Sequence, residues 1–256
     1  MKVFAFANQK GGVGKTTAAV TLADGLARGG YKTLLVDLDP QGHVALSFGL
    51  EKTPGLYRLV CLDEPLEKVV HRVHPCLDLI TGDKQTEKVK RQIALSDSGE
   101  TILADLLLGA PYDAVLLDMA PSLDVLHRNG LVAADWVIIP TRPDALSLDG
   151  VKEILNSMAE VERSGHRYQG YSILPTFFDR NTHETLVQFQ ELARIFAQHL
   201  WPPIPQDTRV RETAAYGKTL WEYAPSTKAM SGFKEGRQKL GGFKQVLSRM
   251  LEVMNG

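Results

Sequence analysis

The chain has little of several features that would define a class of protein. It contains two cysteines, Cys61 and Cys76, which are too few for a disulfide framework and do not have the spacing of a metal or iron–sulfur site. It also lacks an apolar run long enough to span a bilayer and a signal sequence at its start. These absences favour a reduced, cytoplasmic protein over a secreted or membrane-spanning one.

A strong overall charge is missing too. The formal net charge is −1 at pH 7, so composition alone predicts no polyanionic partner. The charge is unevenly distributed, however, because residues 201–256 contain nine basic and five acidic side chains. Such an asymmetry fits a basic face that contacts nucleic acid, and it fits ordinary solvated helix surfaces equally well.

Short apolar runs alternate with segments of helical pattern, and no repeat or linker interrupts them, so we expect residues 1–256 to form one domain. Strands are predicted at 3–7, 33–38, 77–80, 113–118, 135–140, 171–174 and 203–205. Helices are predicted at 16–28, 98–108, 124–133, 148–164, 183–199, 208–215, 227–239 and 242–254. This alternation predicts an α/β fold with a doubly wound, mostly parallel sheet and helices on both faces. Ligands of such sheets bind at the carboxyl ends of the strands.

The most informative segment is a glycine-rich run that follows the first apolar run directly, Lys10-Gly11-Gly12-Val13-Gly14-Lys15-Thr16-Thr17. A strand, a glycine-rich turn and a helix in this order point backbone N–H groups at one spot, at the positive end of a helix dipole. Such a turn is a polyphosphate site, with Lys15 on the β- and γ-phosphates and the Thr16 hydroxyl on Mg²⁺. The glycines let the backbone approach phosphate oxygens closely.

This run differs from the usual phosphate loop. Gln9 stands where the G-x-x-x-x-G-K-[ST] pattern requires glycine, and a second lysine, Lys10, precedes Lys15 by five residues. It therefore resembles the deviant Walker A motif of the ParA/MinD family of ATPases. The resemblance implies a P-loop NTPase fold that binds ATP and Mg²⁺ through residues 10–17. It also implies that Lys10 crosses the interface of an ATP-bound homodimer to touch the partner's nucleotide; the alternative is a solvated turn lysine.

Two acidic segments follow predicted strands. Asp37 and Asp39 lie two residues apart in a run that continues as Pro40-Gln41-Gly42, so both side chains point to the same side of the strand. The run resembles a switch segment of the ParA family, which implies that Asp39 positions or activates the attacking water and that Asp37 supports the magnesium shell. An ordinary Asx turn is the alternative. Asp118 ends a later apolar strand, and the family's turn at this place implies that it binds Mg²⁺ through water.

The resemblance extends over nearly the whole chain, from Lys2 to about Leu251. The segment at 204–212 is similar to the turn that holds adenine in relatives. This implies that Pro205 and Asp207 contribute to the base site, although the family usually has Asn in place of Asp207.

The family's biology is implied by the same resemblance. The closed dimer would bind DNA without sequence preference, associate with the nucleoid, and position a chromosome, a plasmid or a large protein assembly. A ParB-like protein or another cargo adaptor would stimulate its slow, Mg²⁺-dependent ATP hydrolysis. The basic residues that are candidates for DNA contact are Arg211, Lys218, Lys228, Lys234, Arg237 and Lys239.

Two other functions remain open at this stage. A MinD-like membrane-associated spatial regulator would use the apolar stripe of the last predicted helix, which could equally pack on the domain. An enzyme that activates a small substrate, as amidotransferase-linked and biotin-pathway members of the superfamily do, would need substrate-binding residues beside the nucleotide. The sequence shows no such cluster. It also lacks a helix-turn-helix segment before the first strand, so we expect no site-specific operator binding.

Overall fold

The computed structural model describes residues 1–96, 99–235 and 238–256. The strands are β1 Lys2–Phe6, β2 Thr33–Asp37, β3 His71–His74, β4 Leu77–Ile80, β5 Ala114–Asp118, β6 Trp136–Thr141, β7 Gly170–Pro175, β8 Phe233–Glu235 and β9 Gln238–Leu240. The helices are α1 Lys15–Arg28, α2 His43–Ser47, α3 Gly55–Cys61, α4 Leu66–Val69, α5 Thr86–Leu95, α6 Ile102–Leu107, α7 Val125–Ala133, α8 Ser147–Arg163, α9 His183–Phe196, α10 Arg209–Tyr216, α11 Leu220–Tyr223, α12 Lys228–Ser231 and α13 Phe243–Asn255. Short 3-10 turns cover Gly99–Thr101 and Ala197–His199.

Strands β1 to β7 form one sheet in the order β3-β4-β2-β5-β1-β6-β7. Neighbouring strands run parallel except β3 and β4, which are antiparallel. The predicted α/β fold with a mostly parallel sheet is therefore confirmed. Because β2, β5 and β1 are adjacent, the segments that follow them leave the carboxyl edge of the sheet side by side.

Alternate residues of the strands enter two different cores, as expected for a sheet covered on both faces. On β1, Val3 and Ala5 pack with apolar residues of α3 to α9. Phe4 and Phe6 point the other way and pack with α1, α2 and α11 to α13. Helices on both faces are thus confirmed, and all of these apolar side chains are removed from water.

The last helix, α13, buries its apolar stripe in the domain. Phe243, Val246 and Met250 are at most 2% exposed. Leu247 approaches α1 so closely that a Cβ on Gly25 would lie 3.0 Å from its side chain. Of the two interpretations of this stripe, packing on the domain is the one found. Among the described residues, no helix combines the length and the apolar character needed to cross a membrane.

Two predicted elements are wrong. The helix expected at 227–239 is replaced by the short helix α12 and by an antiparallel hairpin of β8 and β9. Gly232, with φ of 80°, separates α12 from the hairpin, because this conformation ends a helix. The strand expected at 203–205 reduces to an isolated bridge between Pro205 and Phe178. The structure also contains β3 and α2 to α5, short elements between residues 43 and 95 that the sequence pattern does not predict.

Candidate functional site

The loop between β1 and α1 forms a cradle at the carboxyl edge of the sheet. Gly12 and Gly14 have φ of 74° and 87°, a conformation that side chains with a Cβ rarely adopt. A Cβ on Gly11 or Gly12 would meet nothing within 4 Å, so the loop borders open space. Gly14 caps α1 without a side-chain hydrogen bond, which leaves the first N–H groups of the helix available to an anion. The Thr176 hydroxyl fixes the loop by donating to the Val13 carbonyl at 2.8 Å.

Lys15 begins α1, and its ammonium group folds back onto this loop. Nζ donates to the carbonyl of Asn8 at 2.9 Å and to that of Lys10 at 3.2 Å. The residue is only 7% exposed. Burial lowers the pKa of Lys15, and the charges of Asp118 and Asp39 oppose that shift. A cation held by two carbonyls inside the loop is well placed to exchange them for phosphate oxygens.

Lys10, at the start of the loop, is held by contacts within its own chain. Its N–H donates to Asn8 Oδ1 at 2.9 Å, and the Asn8 amide donates in turn to the Pro140 carbonyl at the end of β6. Its Nζ forms a 2.5 Å ion pair with Asp144, in the segment between β6 and α8. Lys10 is therefore not a freely solvated turn lysine in this state. No sequence signal identified Asp144 as its partner.

Asp37 and Asp118 end the neighbouring strands β2 and β5 and are paired in the sheet register. Both are buried, at 0% and 1% exposure. Asp37 accepts hydrogen bonds from the N–H groups of Asp39 at 3.0 Å and Val44 at 3.1 Å. In the described part of the chain, no donor is in hydrogen-bonding geometry with either oxygen of Asp118. The two strand ends thus place a pair of buried carboxyl groups next to the loop.

Burial raises the pKa of both carboxyl groups. For Asp37 the shift is large, and the charge of Asp118 adds to it. For Asp118 burial raises the pKa to about 7, although the nearby Thr16 hydroxyl and the Lys15 ammonium favour the charged form. The unpaired oxygens of Asp118 and the Thr16 hydroxyl fit Mg²⁺, which takes oxygen ligands and keeps several waters. No cluster of three or more His, Cys, Asp or Glu side chains suited to a metal exists among the described residues, and Mg²⁺ does not require one.

Asp39 lies two residues beyond the end of β2 and is partly buried. Its Oδ1 accepts a hydrogen bond from the N–H of Gln41 at 2.8 Å. The Asx turn, which is the alternative that the sequence leaves open, is therefore present. Gly42, with φ of 62°, then leads into α2; a Cβ there would lie 2.4 Å from the Gly82 carbonyl. Within the described residues Oδ2 has no hydrogen-bond partner, so one oxygen remains available to orient a water.

A cleft with an empty volume of about 320 Å³ opens beside the loop. It is lined by Gly14, Thr17, Thr176, Phe177, Ile204, Pro205, Asp207, Val210 and Phe243. Pro205 is buried, and one oxygen of Asp207 accepts the N–H of Arg209 at 3.1 Å. Apolar and aromatic walls with few polar groups suit a planar base. The structure thus places Pro205 and Asp207 in the wall of the cleft that borders the loop.

None of the candidate DNA-binding residues that the structure describes lines this cleft. Five of them are described and exposed: Arg211, Lys218, Lys228, Lys234 and Lys239. Arg237 lies outside the described residues. No ion pair engages any of the five within the described chain. Lys234 and Lys239 stand directly opposite each other across the hairpin. Like charges in that position repel, so the pair costs stability unless an anion lies against it.

Comparisons with known proteins agree with this geometry. A model of an AAA domain family matches residues 1–168. The chain is 37% identical to the chromosome-partitioning ATPase Soj of Thermus thermophilus, over 90% of this chain and 91% of Soj. It is 32% identical to the chromosome partitioning protein ParA of Caulobacter vibrioides, over 87% of each.

A solved structure extends the comparison to ligands. The cobyrinic acid a,c-diamide synthase of Mycobacterium smegmatis, with a bound ATP analogue and magnesium, has a TM-score of 0.74 at 28% identity and covers 88% of this chain and 96% of its own. A related protein of this fold therefore binds both groups that the loop and the buried aspartates fit. With the family match and the two relatives, these findings show that the chain belongs to the ParA/Soj family of deviant Walker A ATPases.

Proposed function

We propose that the chain is an ATP-driven switch that dimerises on binding ATP and Mg²⁺ and then binds DNA without sequence preference. A ParB-like protein or another cargo adaptor stimulates its slow hydrolysis and releases it, which positions a chromosome, a plasmid or a protein assembly. Residues 1–256 act as one ATPase domain near the nucleoid. The observation that carries the proposal is the glycine loop with Lys10 and Lys15, set in front of the buried pair Asp37 and Asp118.

In this proposal the chain acts mainly by positioning and by charge, as phosphoryl transfer requires. The N–H groups at the start of α1 and the ammonium of Lys15 hold the β- and γ-phosphates. Thr16 binds Mg²⁺ directly, Asp118 binds it through water, and Asp37 supports that shell. Bound Mg²⁺ supplies charge neutralisation on the phosphates. Asp39 orients the attacking water with the oxygen that its Asx turn leaves free.

Formation of the dimer requires Lys10 to leave Asp144. The 2.5 Å ion pair keeps the ammonium group on its own protomer. Crossing the interface exchanges that carboxylate for the phosphates of the partner's nucleotide. The cost of separating the ion pair is then one reason why the protein stays monomeric without ATP.

We expect Lys10→Ala to bind ATP almost as tightly as the wild type, yet to lose ATP-dependent dimerisation, because the proposed contact is made in trans. Calorimetry measures the affinity, and gel filtration with and without ATP measures the dimer. The matched control is Asp144→Asn, which frees Lys10 and should dimerise at least as readily as the wild type. Normal dimerisation of Lys10→Ala would assign Lys10 a purely local role.

Replacement of Asp39 by alanine should trap the closed dimer. The change removes the water-orienting oxygen and leaves the phosphate contacts intact, so turnover should fall by about 10²–10³-fold. Phosphate release and gel filtration with ATP measure both effects. Asp39→Asn is the control for the turn, because its amide oxygen still accepts the Gln41 N–H; it should show the same trapping. If either variant turns over normally, Asp39 does not have this role.

A second candidate is a synthase that uses ATP on a small substrate. The cobyrinic acid a,c-diamide synthase of Mycobacterium smegmatis, which is 28% identical to this chain, favours this candidate. Cobyrinic acid with a nitrogen donor should then accelerate ATP hydrolysis, and DNA should not. The two partitioning relatives, at 37% and 32% identity, support the switch instead. Sedimentation with liposomes and ATP tests the MinD-like alternative, for which the buried stripe of α13 offers no support.

A further inference from the structure

His127 is a buried histidine that the mechanism above does not use. It lies in the first turn of α7 and is 6% exposed. Neither ring nitrogen has a hydrogen-bond partner within residues 1–96, 99–235 and 238–256. Buried polar atoms are nearly always paired in folded proteins, and the exceptions concentrate at functional sites. The unpaired ring nitrogens therefore indicate that a polar ligand binds next to them.

The packing of α7 turns one helix face toward the strand ends of the site. At Gly130 a Cβ would lie 3.0 Å from the Met119 methyl carbon and 3.3 Å from a Leu38 methyl carbon. Met119 directly follows the end of β5, and Leu38 directly follows the end of β2. This face of α7 therefore lies against the two segments that carry the proposed magnesium and water ligands.

His127 is three residues before Gly130, so the two share that face. Helix α7 begins at the carboxyl edge of the sheet, because it follows β5, and runs back to the start of β6. His127 is thus about one turn closer to the carboxyl edge than Gly130. The segments that carry Asp118 and Asp39 leave the sheet at this same carboxyl edge.

The charges around the ring agree with this position. Burial lowers the pKa of His127 to about 4, with Lys15 adding to the shift and Asp124 opposing it. The ring is therefore neutral, with one donor and one acceptor nitrogen. Asp124 is already engaged, because its carboxylate accepts the Ser122 hydroxyl at 2.9 Å and pairs with Lys90 at 2.8 Å. Lys15 offers the ring no acceptor.

We propose that His127 is a positioning residue of the hydrolysis site and that its imidazole hydrogen-bonds the water layer between Asp118, Asp39 and the terminal phosphate of bound ATP. The inference rests on the proposed function, since it places ATP in the loop. Water both donates and accepts, so it can satisfy the two unpaired nitrogens of a neutral ring. Through that layer the ring limits the motion of the water that Asp39 orients. His127 itself touches neither phosphate nor metal.

His127→Leu tests the proposal, because leucine is apolar and of comparable size. Since the ring has no protein partner, the variant should unfold at the same temperature as the wild type or higher. It should bind ATP with unchanged affinity, and its kcat should fall about tenfold with little change in KM. His127→Gln keeps a donor and an acceptor and should recover most of the rate. Leu126→Met, a volume-conserving change at a buried neighbour, should alter neither melting temperature nor kcat.

A second readout does not depend on turnover. In protein with ¹⁵N-labelled histidine rings, addition of Mg²⁺ and a non-hydrolysable ATP analogue should shift the His127 nitrogens toward hydrogen-bonded values. Unshifted nitrogens, a stable His127→Leu variant with normal kcat, or a loss of melting temperature that parallels the loss of rate would each overturn the proposal. If wild-type protein neither binds nor hydrolyses ATP, the failure lies with the proposed function and appears before any variant is made.

Discussion

Lys15→Ala is expected to abolish measurable ATP binding. Its ammonium would make at least two hydrogen bonds to phosphate oxygens, and bonds to charged groups contribute about 1.5–3 kcal/mol each. Losing two of them costs about 3–6 kcal/mol, which lowers affinity by roughly 10²–10⁴-fold. Calorimetry with a non-hydrolysable ATP analogue and Mg²⁺ measures the change.

The control for this variant must separate binding from folding, because Lys15 is buried and lies near Asp118 and Asp39. Lys15→Gln keeps a donor for the loop carbonyls without the charge, and it should lose ATP affinity as well. Lys32→Ala removes an exposed lysine near the opposite edge of the sheet and should change nothing. Thermal unfolding shows whether each variant is folded. Unchanged affinity in a folded Lys15→Ala protein would remove the loop from the proposed site.

The phosphate loop and the aspartates could be predicted because each depends on a short-range pattern. Gly12 and Gly14 allow backbone conformations that other residues avoid, so the run is recognisable without tertiary contacts. Asp37 and Asp118 each end an apolar run, and parallel strands bring such ends to one edge. Local pattern and fold therefore agree across most of the site.

The sequence contains a signal for the hairpin of β8 and β9, but the charged residues in the same segment are equally consistent with a helix. Lys234 and Lys239 fit a solvated helix face as well as an exposed strand, and their spacing alone favours neither. Glycine gives the better signal, because Gly232, Gly236 and Gly241 bracket one run of three residues and one of four. In this segment the turn-forming glycines are therefore a better guide to the structure than the charged residues.

Two other features depend on contacts that no local pattern contains. Lys10 and Asp144 are 134 positions apart, and only the adjacency of β1 and β6 brings them together. His127 reads as an ordinary polar residue on the first turn of a helix. Its importance follows from burial without a partner, which is a tertiary property. The contacts and burial of such side chains can be inferred only after the strand order is known.

The hairpin also gives the second large expected effect, on DNA binding. Lys234→Glu with Lys239→Glu should strongly weaken the binding of DNA of any sequence by the proposed ATP-bound dimer. Two lysines per protomer give about four phosphate contacts in the dimer, so the slope of log K against log salt should become shallower by roughly 3–4. Titration at several salt concentrations, with ATP present, measures the slope. Dimerisation itself should persist in gel filtration, because both residues lie outside the nucleotide site.

The register of the hairpin supplies its own folding control. Wild-type Lys234 faces Lys239, and in the double variant glutamate faces glutamate, so the cross-strand repulsion is matched. The single variant Lys234→Glu forms an opposite-charge pair and should stabilise the hairpin while still weakening DNA binding. A weaker binder that is more stable than the wild type cannot be explained by unfolding.

The lower net charge is the remaining explanation for weaker DNA binding. Charge reversal at a second pair of residues tests this explanation. Lys68→Glu with Arg91→Glu makes the same change in charge on α4 and α5, which pack on the other face of the sheet from α12. If DNA binds a continuous surface around Arg211, Lys218 and the hairpin, this control should keep nearly all of the wild-type affinity and its salt slope. An equal loss in both double variants would mean that the overall field, and not the hairpin, attracts DNA. Undiminished binding in the hairpin variant would place the contacts elsewhere on the dimer.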